Sequence, residues 1–295
     1  MAGPGHYAAF GLVALAALAG GILVGLKVPK KKAAWALGPF VLAAVLYASC
    51  RAWPEWEAAV FPWPFYAFWQ RQWMYPLGIF ILGCGGAMLP VRWNRFAVWA
   101  VAVGLLGWSL YAGRWMLRAP CPGRTELPVR GLVVEQSTGY TCAPAACATL
   151  LACWGIAKSE HEMAQLCLCV PEKGTAQFDT YRGLALAARA SGLKPRIVYA
   201  GPKRLGQLVR PFIIGTGAHA IVVFEVRGDE LLVGDPFVRR PVWRQADVTV
   251  GKEVWDGVAV LLCRESPFDG RNAPHLDAWL GAAPESAPRR RSPAK

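Results

Sequence analysis

Charged residues are scarce in this sequence, and histidines are scarcer still. Only 17% of the 295 residues are charged and 55% are hydrophobic, an apolar share above that of ordinary soluble domains. The composition therefore predicts a membrane part. With four histidines in the whole chain, any chemistry that needs an imidazole is limited to very few positions.

The short motifs of several common functions are also missing. The sequence has neither a Gly-rich phosphate loop ending in Lys and Ser or Thr nor the ligand spacing of a zinc finger. Its net charge of +13 comes from basic residues scattered along the chain, whereas a nucleic-acid interface concentrates them among aromatics. Four closely spaced cysteines lack the knuckle spacing of structural zinc sites, so buried thiols or disulfides are expected: Cys147, Cys153, Cys167 and Cys169. We expect no nucleic-acid partner, no metal and no cofactor.

The apolar excess lies almost wholly before residue 118. Four apolar runs there are each near or slightly under the ~20 residues that cross a bilayer core, so residues 1–118 predict an α-helical transmembrane region with about four spans. The runs are Tyr7 to Leu26, Ala33 to Cys50, Met74 to Leu89 and Phe96 to Tyr111. The Trp-rich segment 51–73 predicts a stretch lying on the lipid surface. Glycine pairs inside spans, Gly20-Gly21 and Gly85-Gly86, predict close helix packing.

Composition divides the rest of the chain into three segments. Residues 119–130, rich in Pro, Gly and Arg, predict a linker. Residues 131–266 have the mixed composition of one globular domain, and residues 267–295 predict a disordered tail rich in Pro, Ala and Arg. Within the domain, a short strand is expected over residues 131–135 and a helix over residues 142–154.

Cys142 opens the predicted helix, and that position suits a nucleophile. A thiol at a helix start lies beside unpaired backbone N–H groups and the positive end of the helix dipole, which favour the thiolate. A small buried cysteine is the alternative at such a position. A thiolate nucleophile also needs a base, and His219 is the histidine left when three less suitable ones are set aside. His6 precedes the first span, His161 opens an exposed helix and His275 lies in the tail.

Asp235 is the candidate for orienting this base. His219 begins an apolar strand, a turn signal follows at residues 227–230, and a second strand ends at Asp235. A carboxylate there would fix the imidazole tautomer, although a turn aspartate that caps its own loop has the same pattern. A plain two-residue turn would put the two side chains on opposite faces, so we predict a three-residue turn or a β-bulge.

Gln136 lies six residues before Cys142, where its side-chain amide could join the Cys142 backbone N–H in an oxyanion hole. Three segments of the sequence then share one order: QSTGYTCAPAA from residue 136, GAHAIVV from residue 217 and VGDP from residue 233. Together they resemble the peptidase C39 family of bacteriocin-processing, double-glycine leader peptidases. The resemblance covers roughly residues 128–264, about half of the chain.

The resemblance implies an α+β papain-like cysteine peptidase domain after the transmembrane region. It assigns Cys142 as nucleophile, His219 as general base, Asp235 as orienting carboxylate and Gln136 to the oxyanion hole. Ala143 departs from the family, in which Gly usually follows the nucleophile, and should narrow the site. We see no ATP-binding domain in the sequence, so the substrates of the family's exporters do not carry over.

The expected function is that of a membrane-anchored cysteine peptidase that acts on a peptide or protein, with the lipid bilayer as its other partner. Two alternatives would use the same residues. One is a papain-like amidase or transferase acting on cell-wall peptides. The other is a catalytically inactive peptide-binding membrane module.

Charge around the first helices predicts the orientation of the domain. Four lysines between residues 27 and 32 lie in the first short loop, which should stay in the cytoplasm. Four spans would then place the domain outside a bacterial inner membrane. Seven cysteines after residue 120 suit an oxidising compartment, whereas Arg114, Arg118 and Arg124 argue for the cytoplasmic side.

Overall fold

The computed structural model describes residues 4–29, 32–52, 74–119, 121–171, 173–250 and 255–281. The chain divides into two compact units, Met1–Ala119 and Pro120–Lys295. The boundary between them falls at the start of the segment that the sequence predicts as a linker.

Four helices build the first unit, and each coincides with one of the four predicted apolar runs. They are α1 (Pro4–Lys27), α2 (Ala33–Ala52), α3 (Met74–Met88) and α4 (Arg92–Gly113), with a 3-10 turn at Arg114–Leu117 after the last. Among the residues described, two segments are long and apolar enough to cross a membrane, Tyr7–Lys27 and Arg92–Leu117. The apolar stretches Leu37–Ala48 and Met74–Met88 are shorter. Most of the predicted surface segment, residues 53–73, lies outside the described residues.

Glycines let α1 and α3 pack closely. A Cβ at Gly21 would clash with the Phe80 carbonyl oxygen, and one at Gly83 would lie 3.0 Å from the Leu18 carbonyl oxygen. Such small residues let helix backbones approach each other. The predicted close packing is therefore confirmed at Gly21 and also at Gly86, where a Cβ would lie 2.7 Å from Trp99 Nε1 of α4, whereas Gly85 has open space around it.

The second unit combines helices with one sheet. Its larger helices are α5 (Cys142–Cys153), α6 (Glu160–Leu166) and α7 (Gln177–Ala187). Its strands are β1 (Lys194–Tyr199), β2 (Phe212–Thr216), β3 (His219–Arg227), β4 (Glu230–Gly234), β5 (Val242–Gln245) and β6 (Trp255–Cys263). Smaller elements are a 3-10 helix at Pro202–Gln207 and the helices α8 (Ala246–Val250) and α9 (Leu276–Gly281).

The six strands form an antiparallel sheet in the order β1-β6-β2-β3-β4-β5. Helix α5 packs against β3, near the middle of the sheet. Both faces of β3 are covered, because Ile221–Phe224 are buried in succession, which explains its unbroken apolar sequence. Helices followed by an antiparallel sheet agree with the α+β class that was expected.

Residues 131–135 do not form the strand that their apolar sequence predicts. They run as an extended segment beside the loop after β4. The Val133 N–H donates to the Arg239 carbonyl oxygen at 2.7 Å, and the Gln136 N–H donates to the Pro236 carbonyl oxygen at 3.0 Å. Because their partner is an irregular loop, these residues bury Val133 without joining the sheet.

The start of the segment predicted as a linker is instead attached to the domain. Cys121 is buried, and its N–H donates to the Cys169 carbonyl oxygen at 2.8 Å. The Arg124 N–H donates to the buried Glu160 carboxylate at 2.6 Å. Backbone bonds of this kind cannot be read from the Pro and Gly content that suggested a free linker.

The tail predicted to be disordered from residue 267 also packs on the domain as far as Gly281. The Val209 N–H donates to the Pro267 carbonyl oxygen at 3.0 Å. Trp279 in α9 is 2% exposed, and its ring stacks on that of Phe224 with centroids 4.9 Å apart. A single apolar turn of helix is enough to bury this segment, and so short a pattern is weak in a sequence rich in Pro and Ala. Residues 282–295 lie outside the described residues.

Candidate active site

The β3–β4 hairpin brings His219 and Asp235 to one end of the sheet. Its turn has two residues, because Arg227 pairs with Glu230, but the register shifts around Phe224. This bulge adds one residue to β3 and so places the two candidate side chains on one face as diagonal neighbours. The predicted bulge is confirmed, and the alternative three-residue turn is absent from this hairpin.

Cys142, His219 and Asp235 come together at one place in the domain. His219 Nε2 lies 2.7 Å from Asp235 Oδ1. This leaves Nδ1 as the imidazole nitrogen available to Cys142, which lines the same cavity as His219. The Phe237 ring stacks on the imidazole, with centroids 4.7 Å apart and planes at 24°, and covers one of its faces.

Cys142 and His219 shift each other's pKa in opposite directions. Burial opposes ionisation of Cys142, but bonds from His219 and the Ala220 backbone, with the charge of His219, outweigh it and lower the pKa of the thiol. Burial likewise opposes charge on His219, but bonds with Cys142 and Asp235 outweigh it and raise the pKa of the imidazole. Both shifts favour a thiolate–imidazolium pair.

Asp235 is buried, and both its carboxylate oxygens accept hydrogen bonds. Besides His219, Oδ1 accepts from the Phe237 N–H at 3.0 Å, and Oδ2 accepts from Arg244 Nη2 at 2.8 Å. Burial would raise the pKa of the carboxyl, but these bonds from Phe237, His219 and Arg244 outweigh it and lower the pKa. Asp235 therefore stays ionised at neutral pH.

Helix α5 fixes the position of the thiol. Cys142 is its first residue, and its first backbone bond runs from the Ala145 N–H to the Thr141 carbonyl oxygen at 3.0 Å. The backbone N–H groups of that turn therefore point out of the helix beside the sulfur. Cys142 retains 9% exposure, so a reagent can reach it from the adjacent cavity.

Gln136 is held just before this helix and is buried. Its Nε2 donates to the Thr138 carbonyl oxygen at 2.8 Å, while its Oε1 has no hydrogen-bond partner. An amide nitrogen carries two hydrogens, so one Nε2 hydrogen is left over. No contact between Gln136 and Cys142 is among the hydrogen bonds of the described residues.

A cavity of about 720 Å³ opens beside Cys142 and His219. One wall is apolar and comes from β2 and β6. Its residues are Ile213, Trp255, Val258 and Val260. The segment 173–177 forms another part of the lining, and there Lys173 pairs with Asp179 at 3.4 Å. The cavity is large enough for several residues of an extended peptide.

Two residues of the site were missed in the sequence. Phe237 follows Asp235 by two positions, so the turn after β4 was a signal for it. Arg244 lies on β5, opposite Leu231 of β4, and only this strand pairing brings it towards Asp235. Nothing in its local sequence separates Arg244 from the other arginines.

The remaining candidate ligands do not assemble into a second site. All seven cysteines after residue 120 are free, so the disulfides that the spacing allowed are not formed in this structure. Cys147 and Cys167 contact each other through their side chains, as do Cys121 and Cys169. Among the described residues, no group of three or more His, Cys, Asp or Glu side chains could hold a metal ion.

Part of the domain is similar to known proteins. The family model of the peptidase C39 family matches residues 131–266. An uncharacterized protein of Methanothermobacter marburgensis is 36% identical over 110 residues, which are 37% of this chain and 74% of that protein. An uncharacterized protein of Methanothermobacter thermautotrophicus is 30% identical over 144 residues, 47% of this chain and 91% of that protein.

Solved structures also resemble part of the chain. The peptidase domain of Streptococcus ComA, a bi-functional ABC transporter of a quorum-sensing pathway, is 23% identical. The match covers 46% of this chain and 100% of that one, with a TM-score of 0.39. A double glycine motif protease from an AMS/PCAT transporter, in complex with the leader peptide, is 20% identical over 50% of this chain and 97% of that one, with a TM-score of 0.37. On the match over residues 131–266 and the two relatives, this chain belongs to the peptidase C39 family.

Proposed function

We propose that the chain is a membrane-anchored cysteine peptidase, with Cys142 as nucleophile, His219 as general acid and base, and Asp235 as the carboxylate that orients His219. One observation carries the proposal. It is the path from thiol to imidazole to carboxylate: Cys142, in the first turn of a helix, lines the same open cavity as His219, and His219 is hydrogen-bonded to Asp235. Nucleophile, base and orienting group in that order are what covalent acyl transfer needs.

The reaction follows from the two charged groups. The Cys142 thiolate attacks the carbonyl carbon of the scissile peptide bond, and the carbonyl π electrons move to its oxygen. When the tetrahedral intermediate collapses, the C–N bond breaks and the imidazolium of His219 gives its proton to the departing amine. His219 then takes a proton from water, whose oxygen attacks the thioester and releases the acid and the thiol.

The negative oxygen of the intermediate needs donors that are already in place. The Cys142 backbone N–H is one candidate, because Cys142 is the first residue of α5 and the first N–H groups of a helix have no partner within it. The Nε2 hydrogen of Gln136 that does not bond Thr138 is the second. Gln136 is 8% exposed, so little water competes for this hydrogen.

We further propose that the helices of the first unit hold the peptidase at a bilayer and that its substrates are peptides or proteins reaching that surface. The two candidate spans support the anchoring. The cavity beside Cys142 supports a substrate bound in extended form, with its main chain between the apolar wall and the segment 173–177. Orientation by the four-lysine loop would put the domain outside the cytoplasm.

The test compares the peptide termini in membranes that contain the wild-type chain, Cys142→Ala or the control Cys263→Ala. Cys263 is also buried, but it lies at the end of β6 and outside the lining of the cavity. We expect new termini with wild type and Cys263→Ala and none with Cys142→Ala. The same termini from all three would overturn the proposal. Altered cell-wall peptides without new protein termini would instead indicate an amidase or transferase.

A further inference from the structure

Arg244 reaches the catalytic carboxylate from the neighbouring strand. Its partner across the β4–β5 ladder is Leu231, and Leu231, Val233 and Asp235 share one face because side chains alternate along a strand. The guanidinium can therefore extend along that face, and its Nη2 lies 2.8 Å from Asp235 Oδ2. The Arg244 side chain is 39% exposed and that of Asp235 is 9% exposed.

The bond from Arg244 fixes the orientation of the whole carboxylate. The two oxygens turn together about the Cβ–Cγ bond, so holding Oδ2 also holds Oδ1 towards His219. Among the described residues, the only hydrogen-bond donor to this carboxylate besides Arg244 and His219 is the Phe237 N–H, which bonds Oδ1. That N–H competes with the imidazole for the same oxygen instead of holding the opposite one.

We propose that Arg244 is a positioning residue of the active site: it keeps Asp235 ionised and turned towards His219, so that the imidazole presents its other nitrogen to Cys142. This inference rests on the proposed function and adds a fourth side chain to the path. Two charged groups face Asp235 in its hydrogen bonds, His219 from β3 and Arg244 from β5. The nearby Arg239 pairs with Glu135 at 3.8 Å instead.

The proposal has a definite pH signature. A cation at 2.8 Å favours the ionised carboxylate, so loss of Arg244 should raise the pKa of Asp235. As the pH falls, Asp235 then gains its proton sooner, the imidazolium loses its partner, and the Cys142 thiolate is lost at a higher pH. The acid limb of Cys142 reactivity therefore moves towards neutral pH.

The experiment measures how fast iodoacetamide modifies Cys142 between pH 4 and 9 in the full-length chain in detergent micelles, by mass spectrometry of the Cys142 peptide. Arg244→Gln removes the charge and Arg244→Lys keeps it. Arg227→Gln is the matched control, because Arg227 lies in the β3–β4 hairpin that carries His219 and Asp235 but pairs with the half-buried Glu225. We expect the acid limb of the rate profile of Arg244→Gln to shift to higher pH by about 0.5–1 pH unit. At a given pH on that limb, Cys142 of the variant should then react up to about tenfold more slowly than that of the wild type.

The two variants keep the test decisive. Arg244→Lys and Arg227→Gln should both retain the wild-type acid limb, and an unmoved limb in Arg244→Gln overturns the proposal. If Arg244→Gln fails to fold, as judged by near-UV circular dichroism, the lysine variant decides the test. A displaced acid limb in Arg244→Lys would show that a positive charge at this position is not sufficient to maintain the reactivity of Cys142. Failure of the proposed function looks different: wild-type Cys142 would then react no faster than the other cysteines at any pH.

Discussion

At the scale of single residues, the pair formed by Cys142 and His219 defines a pH window for activity. The pKa of Cys142 is lowered and that of His219 is raised. The thiolate–imidazolium pair therefore exists above the pKa of Cys142 and below that of His219. Below the window the thiol is protonated and cannot attack, and above it the neutral imidazole cannot protonate the leaving amine. Peptidase activity should follow a bell-shaped pH profile.

Removing the imidazole of His219 should slow alkylation of Cys142 most at the pH values where the ion pair forms. In His219→Ala, Cys142 loses the main contacts that lower the pKa of its thiol. Alkylation of Cys142 at pH 6–7 should therefore become slower by about tenfold or more. In alkali, hydroxide ionises the thiol in both forms and the rates should converge. Rates are measured from the modified Cys142 peptide, with Cys263→Ala as the control expected to match wild type. Equal reactivity of Cys142 in wild type and His219→Ala would contradict the ion pair.

At the scale of elements, the bulge in β3 depends on a residue without a side chain in β4. The bulged Phe224 is buried, and a Cβ on Gly234 would lie 2.6 Å from its ring and 2.9 Å from Val133. The ring can occupy this space only because Gly234 leaves it open. Gly234 thus maintains the register that brings His219 and Asp235 to one face.

Gly234→Ala should therefore destabilise the chain by about 1–3 kcal/mol, the usual cost of overpacking a core. The control is Gly206→Ala, because an added Cβ there meets nothing within 4 Å and its backbone is not left-handed. Both are compared with wild type by thermal unfolding of the full-length chain in detergent. Equal Tm values for the two variants would mean that the Phe224 ring shifts without cost.

Helix α9 packs on the same Phe224 ring. Trp279 stacks on Phe224 and is almost completely buried. A chain ending at residue 266, the end of the family match, should be less stable by about 3–5 kcal/mol, because it loses this indole at least. A chain ending at Gly281 should keep the wild-type Tm in the same unfolding assay. If the shorter chain is equally stable, α9 adds nothing to the fold.

At the scale of the whole molecule, the orientation in the membrane is open to a direct test. We expect the domain outside the cytoplasm, because the four lysines between residues 27 and 32 should hold the first loop inside. Protease added to intact spheroplasts should then remove the chain from about Gly131 onward. A cytoplasmic marker protein must stay intact in the same sample. Digestion that occurs only after lysis would show the opposite orientation, with the free cysteines in a reducing compartment.

The sequence by itself determined the four apolar helices, the helix that begins at Cys142 and the identities of the candidate nucleophile, base and carboxylate. These depend on patterns within a few residues: apolar run length, a thiol at a helix start, and a strand–turn–strand motif ending in Asp235. It also predicted the bulge, because alternation of side chains along a strand requires one if His219 and Asp235 are to meet.

Only the tertiary structure decided which distant segments meet. Arg244 reaches Asp235 through the pairing of β5 with β4, and Trp279 covers Phe224 from a segment that looked disordered. Cys121 joins the domain through a backbone bond to Cys169, although its neighbours have the composition of a linker. These contacts join residues far apart in the chain, and their energies come from burial and hydrogen bonding, which local composition does not encode.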